Sequence, residues 1–447
     1  MSFPRYPKYK DSGIPWLGEM PEHWAIKRVR HLTEIKKRIA GTLGYDVLSI
    51  TQRGIVPKDI ESGEGQLSMD YTKYQIVNPG DFAMNHMDLL TGYVDISIYS
   101  GVTSPDYRVF IYTGEGAKRY YLYLFQMGYH EKILFHYGQG SAQLGRWRLP
   151  TDAFKELPFP VPTKLEQSAI VAFLDLETAR IDALVEKKTR FIELLKEKRS
   201  ALITDAVTGK LDVTTGKPYP KYKPSGVEWL GEVPEGWGMK RLRHVALFTN
   251  SNVDKKSYEG QQSVRLCNYK DVYYNEFIIR SLPFMDATAS DAEVEKFALK
   301  KGDVLITKDS EDPSDIGIPA LVEEDLPNVI CGYHLTVLRV FEPSAARFVH
   351  RSIQSHPTKA HFFVESPGIT RYGLSQDAIG NIQICLPHEN EREAIATFLD
   401  RKTARIDALV GKTRRSIDLL KERRSALITA AVTGKIDVRN HADMKGG

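Results

Sequence analysis

Carboxylates close to a lysine are the side chains with which a protein could cut a phosphodiester, and Pro105-Asp106 followed by Glu115-Gly-Ala-Lys118 supplies them. Nuclease clusters of this kind keep one residue between the second carboxylate and the lysine. Here two intervene, so the match is coincidental. A self-contained adenine methyltransferase needs an Asn/Asp-Pro-Pro-aromatic tetrapeptide to hold a flipped base, and the sequence has none. Gly138-Gln-Gly140 and Gly114-Glu-Gly116 lack the third glycine and the strand-to-helix context of a dinucleotide loop, and no GxxxxGK[ST] loop for ATP is present. The twelve histidines form no HxH or HxxxH pair, and His356 and His361 would diverge on a helix. Cys267, Cys331 and Cys385 are odd in number and widely spaced, giving neither a disulfide framework nor a zinc site. No cofactor or metal is expected in this chain.

Side chains suited to base edges are present instead. Arginine fits guanine, Asn or Gln fits adenine, and Lys or Arg holds phosphates. In the first half the candidates are Gln52 and Arg53 after Thr51, Lys58, Asn85 beside His86, and the stretch from Gln139 through Gln143 to Arg146. In the second half they are Arg265, Asn268 and Lys270, then Lys308, and Arg371 with Tyr372 after Thr370. For any one of these the competing reading is a solvated surface charge. Tyr120, Tyr121 and Tyr123 read as the core of a helix rather than as a stacking platform.

The elements that must carry these residues are written twice. Pro7 to Trp24 recurs as Pro220 to Trp237 at an offset of 213, which persists through Lys27-Arg28-Val29-Arg30-His31 and Lys240-Arg241-Leu242-Arg243-His244. Thr178-Ala-Arg-Ile-Asp-Ala-Leu-Val185 returns at Thr403 to Val410, and Leu194 to Thr204 returns at Leu419 to Thr429, now at an offset of 225. The intervening stretch has gained twelve residues and keeps only an outline: Gly80-Asp81-Phe82-Ala83-Met84 answers Gly302-Asp303-Val304-Leu305-Ile306, and Arg146-Trp147-Arg148-Leu149 answers Arg371-Tyr372-Gly373-Leu374. Near-identical connectors around divergent modules fit a scaffold holding two differently specialised heads. A tandem enzyme would repeat its chemistry and let the linkers drift.

Each module is followed by a long stretch without proline, Leu165 to Val207 and about Glu391 to Val432. Leu174, Ile181, Leu195 and Leu202 fall on one seven-residue series, with Leu184 and Phe191 expected to fill the rest of the seam. In the second copy Leu399, Ile406, Leu420 and Leu427 repeat the series, joined by Leu409. An apolar spacing of 3.5 residues sustained this long favours a coiled coil. Some 43 residues make a rod of about 65 Å, whose stripe needs a partner, and the other copy is the simplest one. Gly209-Lys-Leu-Asp-Val213 recurs as Gly434-Lys-Ile-Asp-Val438, and the residues after the first copy resemble the N-terminus. The chain therefore reads as a ring cut open at one of two equivalent points, with a pseudo-twofold axis and antiparallel helices.

The expected fold class is α+β: two mixed α/β modules joined by two long antiparallel coiled-coil helices. The expected division is 1–163 and 221–388 for the modules, 164–208 and 389–433 for the helices, 209–220 for the linker and 434–447 for the tail. A length of 447 residues suits such a multidomain chain. Its hydrophobic and charged fractions, 42% and 26%, are those of globular proteins. No apolar run can span a membrane, and the start of the chain has no signal-peptide core, so a cytoplasmic location is expected. A net charge of +4 permits nucleic-acid binding without arguing for it.

The repeated blocks resemble the conserved regions of type I restriction-modification specificity subunits. The marks are Trp-Leu-Gly-Glu-x-Pro-x-x-Trp (Trp16 to Trp24, Trp229 to Trp237), Pro-x-x-x-Glu-Gln-x-x-Ile (Pro162 to Ile170), and Ile-Asp-Ala-Leu-Val followed by Leu-Leu-Lys-Glu-Lys-Arg-Ser-Ala-Leu-Ile. The second helix departs with Glu391-Arg392 in place of Glu-Gln. The resemblance implies a non-catalytic subunit with two target-recognition domains, each reading one part of a split site in double-stranded DNA. It implies two methyltransferase subunits as partners and, through them, restriction subunits in phage defence. S-adenosylmethionine, ATP and Mg²⁺ would belong to those partners, and helix length would set the unread spacer. The alternatives are a stand-alone DNA-binding regulator of the same fold, an enzyme with atypical motifs, and a protein-only scaffold without salt-dependent DNA affinity.

Overall fold

The computed structural model describes residues 3–60, 68, 70–141, 146–228 and 230–439. The chain forms two compact units, one of residues 1–188 with 415–447 and the other of residues 189–414. This division differs from the linear one expected from sequence, because each long helix gives one half to each unit.

In the first unit strands Thr33–Ile35, Arg108–Tyr112, Phe82–Met84 and Val94–Ile96 lie side by side in that order, all antiparallel. The second unit repeats the order with Ala246–Asn250, Leu335–Val340, Val304–Thr307 and Pro319–Val322, and adds Phe277–Ile278 in parallel at the edge. The shared Gly-Asp turn explains why the frame recurs. Gly80 and Gly302 take the left-handed conformation (φ 92° and 88°) that lets the chain turn into the strand. The Asp81 carboxylate accepts the Asn78 amide at 2.8 Å and pairs with Arg38. Asp303 accepts the Lys300 amide at 2.9 Å and binds both nitrogens of a fork from Arg339, at 2.9 and 2.8 Å. A helix then covers each sheet, Lys118–His130 in the first unit and Ala346–Ile353 in the second. Tyr120, Tyr121 and Tyr123 are buried, as helix-core residues should be.

Insertions on the two frames differ. The first unit carries the hairpins Leu48–Thr51/Gly54–Pro57 and Gln139–Ser141/Arg146–Arg148. The second carries a three-stranded sheet of Met285–Ala289, Gln262–Cys267 and Val329–Cys331 with helices Tyr269–Tyr274 and Asp291–Phe297. Cys267, Cys331 and Cys385 are buried free thiols, and burial pushes Cys385 up to about 12, so none is a ready nucleophile.

The long helices run Lys164–Val207 and Glu389–Val432, 44 residues each. The first opens on a capping box: Thr163 Oγ1 accepts the Glu166 amide at 3.3 Å while Glu166 accepts the Thr163 amide at 3.1 Å. Each helix stops at a glycine with positive φ, Gly209 and Gly434, where any side chain would strike Pro234 or Pro21.

Within each unit the two helix segments are antiparallel. In the first, Ile170 and Leu174 share a core with Leu427, Ile428, Ala431 and Val432, and Asp182 pairs with Arg424 at 2.9 Å. In the second, Arg199 pairs with Asp407 at 3.1 Å, and Ile203 and Val207 share a core with Ile395 and Leu399. One expected row of the seam is buried at Leu174, Ile181, Leu195, Leu399, Ile406 and Leu427, with Leu202 and Leu420 half-buried. The other row is not the one expected. Leu184, Phe191 and Leu409 are 47%, 45% and 40% exposed, while Thr178, Ile192, Thr403, Val410 and Ile417 are buried. A 3.5-residue repeat can step by three or by four from its first row. This chain steps by four, which turns the larger apolar side chains outward.

Candidate nucleic-acid interface

The second unit assembles the more compact candidate site. Strand Tyr372–Gly373 pairs with Asp309–Ser310, and the Leu374 amide donates to the Lys308 carbonyl at 2.8 Å, so Lys308, Arg371 and Tyr372 are held together. Between them sits His334, a residue not singled out from sequence. Its backbone is left-handed at φ 74°, a conformation costing a non-glycine residue about 1–3 kcal/mol that concentrates at functional sites. Its Nδ1 lies 2.7 Å from the Asp309 carboxylate, and a terminal nitrogen of the Arg371 guanidinium stands beside the ring, 2.9 Å from Nδ1 and 3.1 Å from Nε2. Lys308 stands over the Tyr333 ring with its ammonium 5.2 Å from the centroid. Arg371 remains exposed beside this ring. An ammonium and a guanidinium beside two rings on a sheet edge can hold a phosphate and present a planar donor pair to a base.

The other candidates in this unit lie on the three-stranded sheet and its helix, or beneath the site. Asn268 stands at the N-terminus of helix Tyr269–Tyr274 in a reciprocal capping box with Asp271, whose carboxylate accepts the Asn268 backbone amide at 2.7 Å. Arg265 lies in the middle strand of the three-stranded sheet with its guanidinium over Phe284, 5.6 Å from the ring centroid. Lys270 is exposed on the capped helix. Tyr372 is half-buried against the core beneath the site, which suits a support more than a reader.

The first unit shows the same frame with different side chains. The Leu149 amide donates to the His86 carbonyl at 2.9 Å, the counterpart of the Leu374–Lys308 bond. Burial and the neighbouring Arg108 hold the His86 imidazole neutral, lowered to about 4. A cleft of about 750 Å³ brings Lys58 and Asn85 together with Thr51, Tyr71, Tyr74, Tyr107, Asp88 and Asp106. Gln52 and Arg53 are exposed in the tight turn that closes strands Leu48–Thr51 and Gly54–Pro57. Arg146 begins the second strand of the hairpin that ends in Arg148, and Gln143 lies outside the described residues. The carboxylates weighed for phosphodiester chemistry are kept apart. Asp106 and Glu115 lie beyond opposite ends of strand Arg108–Tyr112, and Glu115 pairs with Lys164 at 2.5 Å. Among the described residues no group of three or more His, Cys, Asp or Glu could hold a metal, and no helix is long and apolar enough to cross a membrane.

Arg392, the departure from the family pattern in the second helix, has a visible role. It is almost fully buried and donates to Glu342 at 2.6 Å, whereas Gln167 at the matching place accepts the Ala117 amide at 3.1 Å. Each residue ties its helix to its own module by different chemistry.

No protein-family model matches the sequence, and no curated protein matches it. Solved structures do. A chain from a structure of the assembly and conformational transition of a type I restriction-modification system is 14% identical, with 92% of this chain and 98% of that chain covered and a TM-score of 0.66. The HsdS subunit from Thermoanaerobacter tengcongensis is 14% identical over 93% and 98% of the two chains, with a TM-score of 0.48. The type I restriction-modification S subunit from M. genitalium is 13% identical over 92% and 96%, with a TM-score of 0.36. The chain therefore shares the fold of the matched chain from a type I restriction-modification system.

Proposed function

We propose that this chain is the non-catalytic DNA-reading subunit of a type I restriction-modification enzyme, with one half of a bipartite target read by each unit. The observation that carries the proposal is the pairing of one repeated sheet frame with two unlike tips. Lys308, His334 and Arg371 occupy the second, whereas in the first His86 stands at the place of Lys308, Asp106 at that of His334, and Arg146 at that of Arg371. An enzyme duplicated in tandem would preserve reactive side chains at such positions, whereas a reader of two different sequences must vary them.

Recruitment of two methyltransferase subunits, and of restriction subunits through them, rests on the helices. Leu176, Leu184 and Leu419 in the first unit, and Phe191, Leu194 and Leu409 in the second, are large apolar residues left open to solvent. Near-repeated segments that each keep an apolar strip can seat two copies of one partner. Methyl transfer from S-adenosylmethionine and ATP-driven cleavage are assigned to those partners, and the helices are assigned the spacing of the two half-sites.

The purified chain with DNA, Mg²⁺ and S-adenosylmethionine should give no turnover. Mixed with its methyltransferase subunit it should elute as one chain with two partners and bind DNA far more tightly than alone. Turnover by the isolated chain would make it an enzyme. Full sequence-specific affinity without a partner would make it a stand-alone regulator.

A further inference from the structure

Beside the Arg371 site the second unit carries an apolar tip that the core does not use. Gly368 bridges Tyr372 across a tight turn, leaving Ile369, Thr370 and Arg371 at its apex. A side chain on Gly368 would lie 2.3 Å from the Arg371 carbonyl, so the turn closes this tightly only around glycine. Ile369 is 93% exposed at the apex, a position where a β-branched apolar side chain gains nothing for folding. Its surroundings carry two cations, one carboxylate and aromatic rings: Arg371 beside His334, Lys308 over Tyr333, and Asp309 2.7 Å from His334 and 3.9 Å from Lys308. Two residues along a chain span at most about 7 Å. That is two base steps of roughly 3.4 Å. Of the groups on the floor of a major groove, the one that rewards an apolar contact is the thymine 5-methyl.

We propose that Ile369 reads a thymine methyl within two base pairs of the base taken by Arg371, so the second half-site is specified by one apolar and one cationic contact. This rests on the DNA-reading function proposed above. The apex is pre-ordered by the Gly368–Tyr372 bridge and by strand pairing to Asp309–Ser310, so binding does not have to freeze a loose loop.

The test uses the full chain in its methyltransferase complex and a set of target duplexes in which each thymine is replaced singly by uracil, which keeps every hydrogen bond and removes one methyl. For the parent protein one substitution in the second half-site should weaken binding about fourfold, the worth of one buried methyl-sized group. For Ile369→Ala the same substitution should cost nothing, with Ile369→Val largely restoring the response. A second half-site without thymine, no uracil-sensitive position, or a sensitivity unchanged in Ile369→Ala would each overturn the proposal. So would an Ile369→Ala protein that loses a protein partner while keeping its uracil response. Absence of any sequence-specific binding would instead remove the DNA-reading function itself.

Discussion

The backbone amide of Asp437 donates to the carbonyl of Pro4 at 2.8 Å, reproducing the bond that Asp212 makes to Lys217 at 2.8 Å within the linker. The neighbourhood repeats with it. Tyr9 donates its hydroxyl to the Gly434 carbonyl at 3.0 Å and Tyr222 to the Gly209 carbonyl at 3.1 Å, each phenol also accepting an amide, from Tyr6 or Tyr219. A bond made inside a covalent linker at one place is thus made between distant parts of the chain at the other. A permutant should therefore fold. Asp437 would be joined to Pro4 through four residues, the number between Asp212 and Lys217, and the chain reopened at Thr215-Gly216. Its unfolding midpoint should match the parent's within a few degrees, measured by circular dichroism. A molten or aggregated product would mean the Asp437–Pro4 contact does not reproduce the linker.

Arg371→Ala should cost roughly 1–3 kcal/mol of binding to the preferred site and relax a single base position. Competition against singly mismatched duplexes checks it. His334→Ala, which removes the ring beside the guanidinium, should relax the same position. A loss spread evenly over all sequences would mark Arg371 as a phosphate contact.

The helix seam makes an ordered prediction. Ile181→Ala, at a buried position, should destabilise the chain by about 2–5 kcal/mol, while Leu184→Ala three residues on should stay within about 0.5 kcal/mol. Urea unfolding of the two variants separates them. Leu184→Ala should instead weaken capture of the methyltransferase partner.

Arg351 is 1% exposed and lies between Asp400, 2.6 Å away, and Glu276, which also receives Arg199 at 2.6 Å. The network ties a strand edge of the second module to both long helices. Arg351→Ala should cost about 3–5 kcal/mol, because it leaves carboxylates facing a buried gap. Unfolding by urea measures the loss, and a change below about 1 kcal/mol would show that water enters and screens the site.

Much of the frame is legible in the residues alone. Repeats such as Gly80-Asp81 and Gly302-Asp303 mark a turn whose glycine and carboxylate both have fixed jobs, so the strand after it can be placed. The seven-residue series through Leu174 and Ile181 locates the helices. The choice between Leu184 and Val185 for the second row is not readable, since both spacings satisfy the repeat and only packing decides. At the candidate site, Lys308 and Arg371 stand out as cations, while Asn268 also stands at a helix cap, a role its neighbour Asp271 hints at three residues on. His334 escapes notice because its importance lies in a left-handed backbone and in contacts to Asp309 and Arg371, residues 25 and 37 positions away.

The claim that two unlike heads on one chain read two parts of one target is tested most directly by mapping methylated adenines in cells with the chain, without it, and with Arg371→Ala. The account predicts a motif of two specified parts around a fixed unread gap, lost without the chain and relaxed in one part only by the substitution. A continuous motif, equal relaxation of both parts, or methylation unchanged when the chain is removed would contradict it.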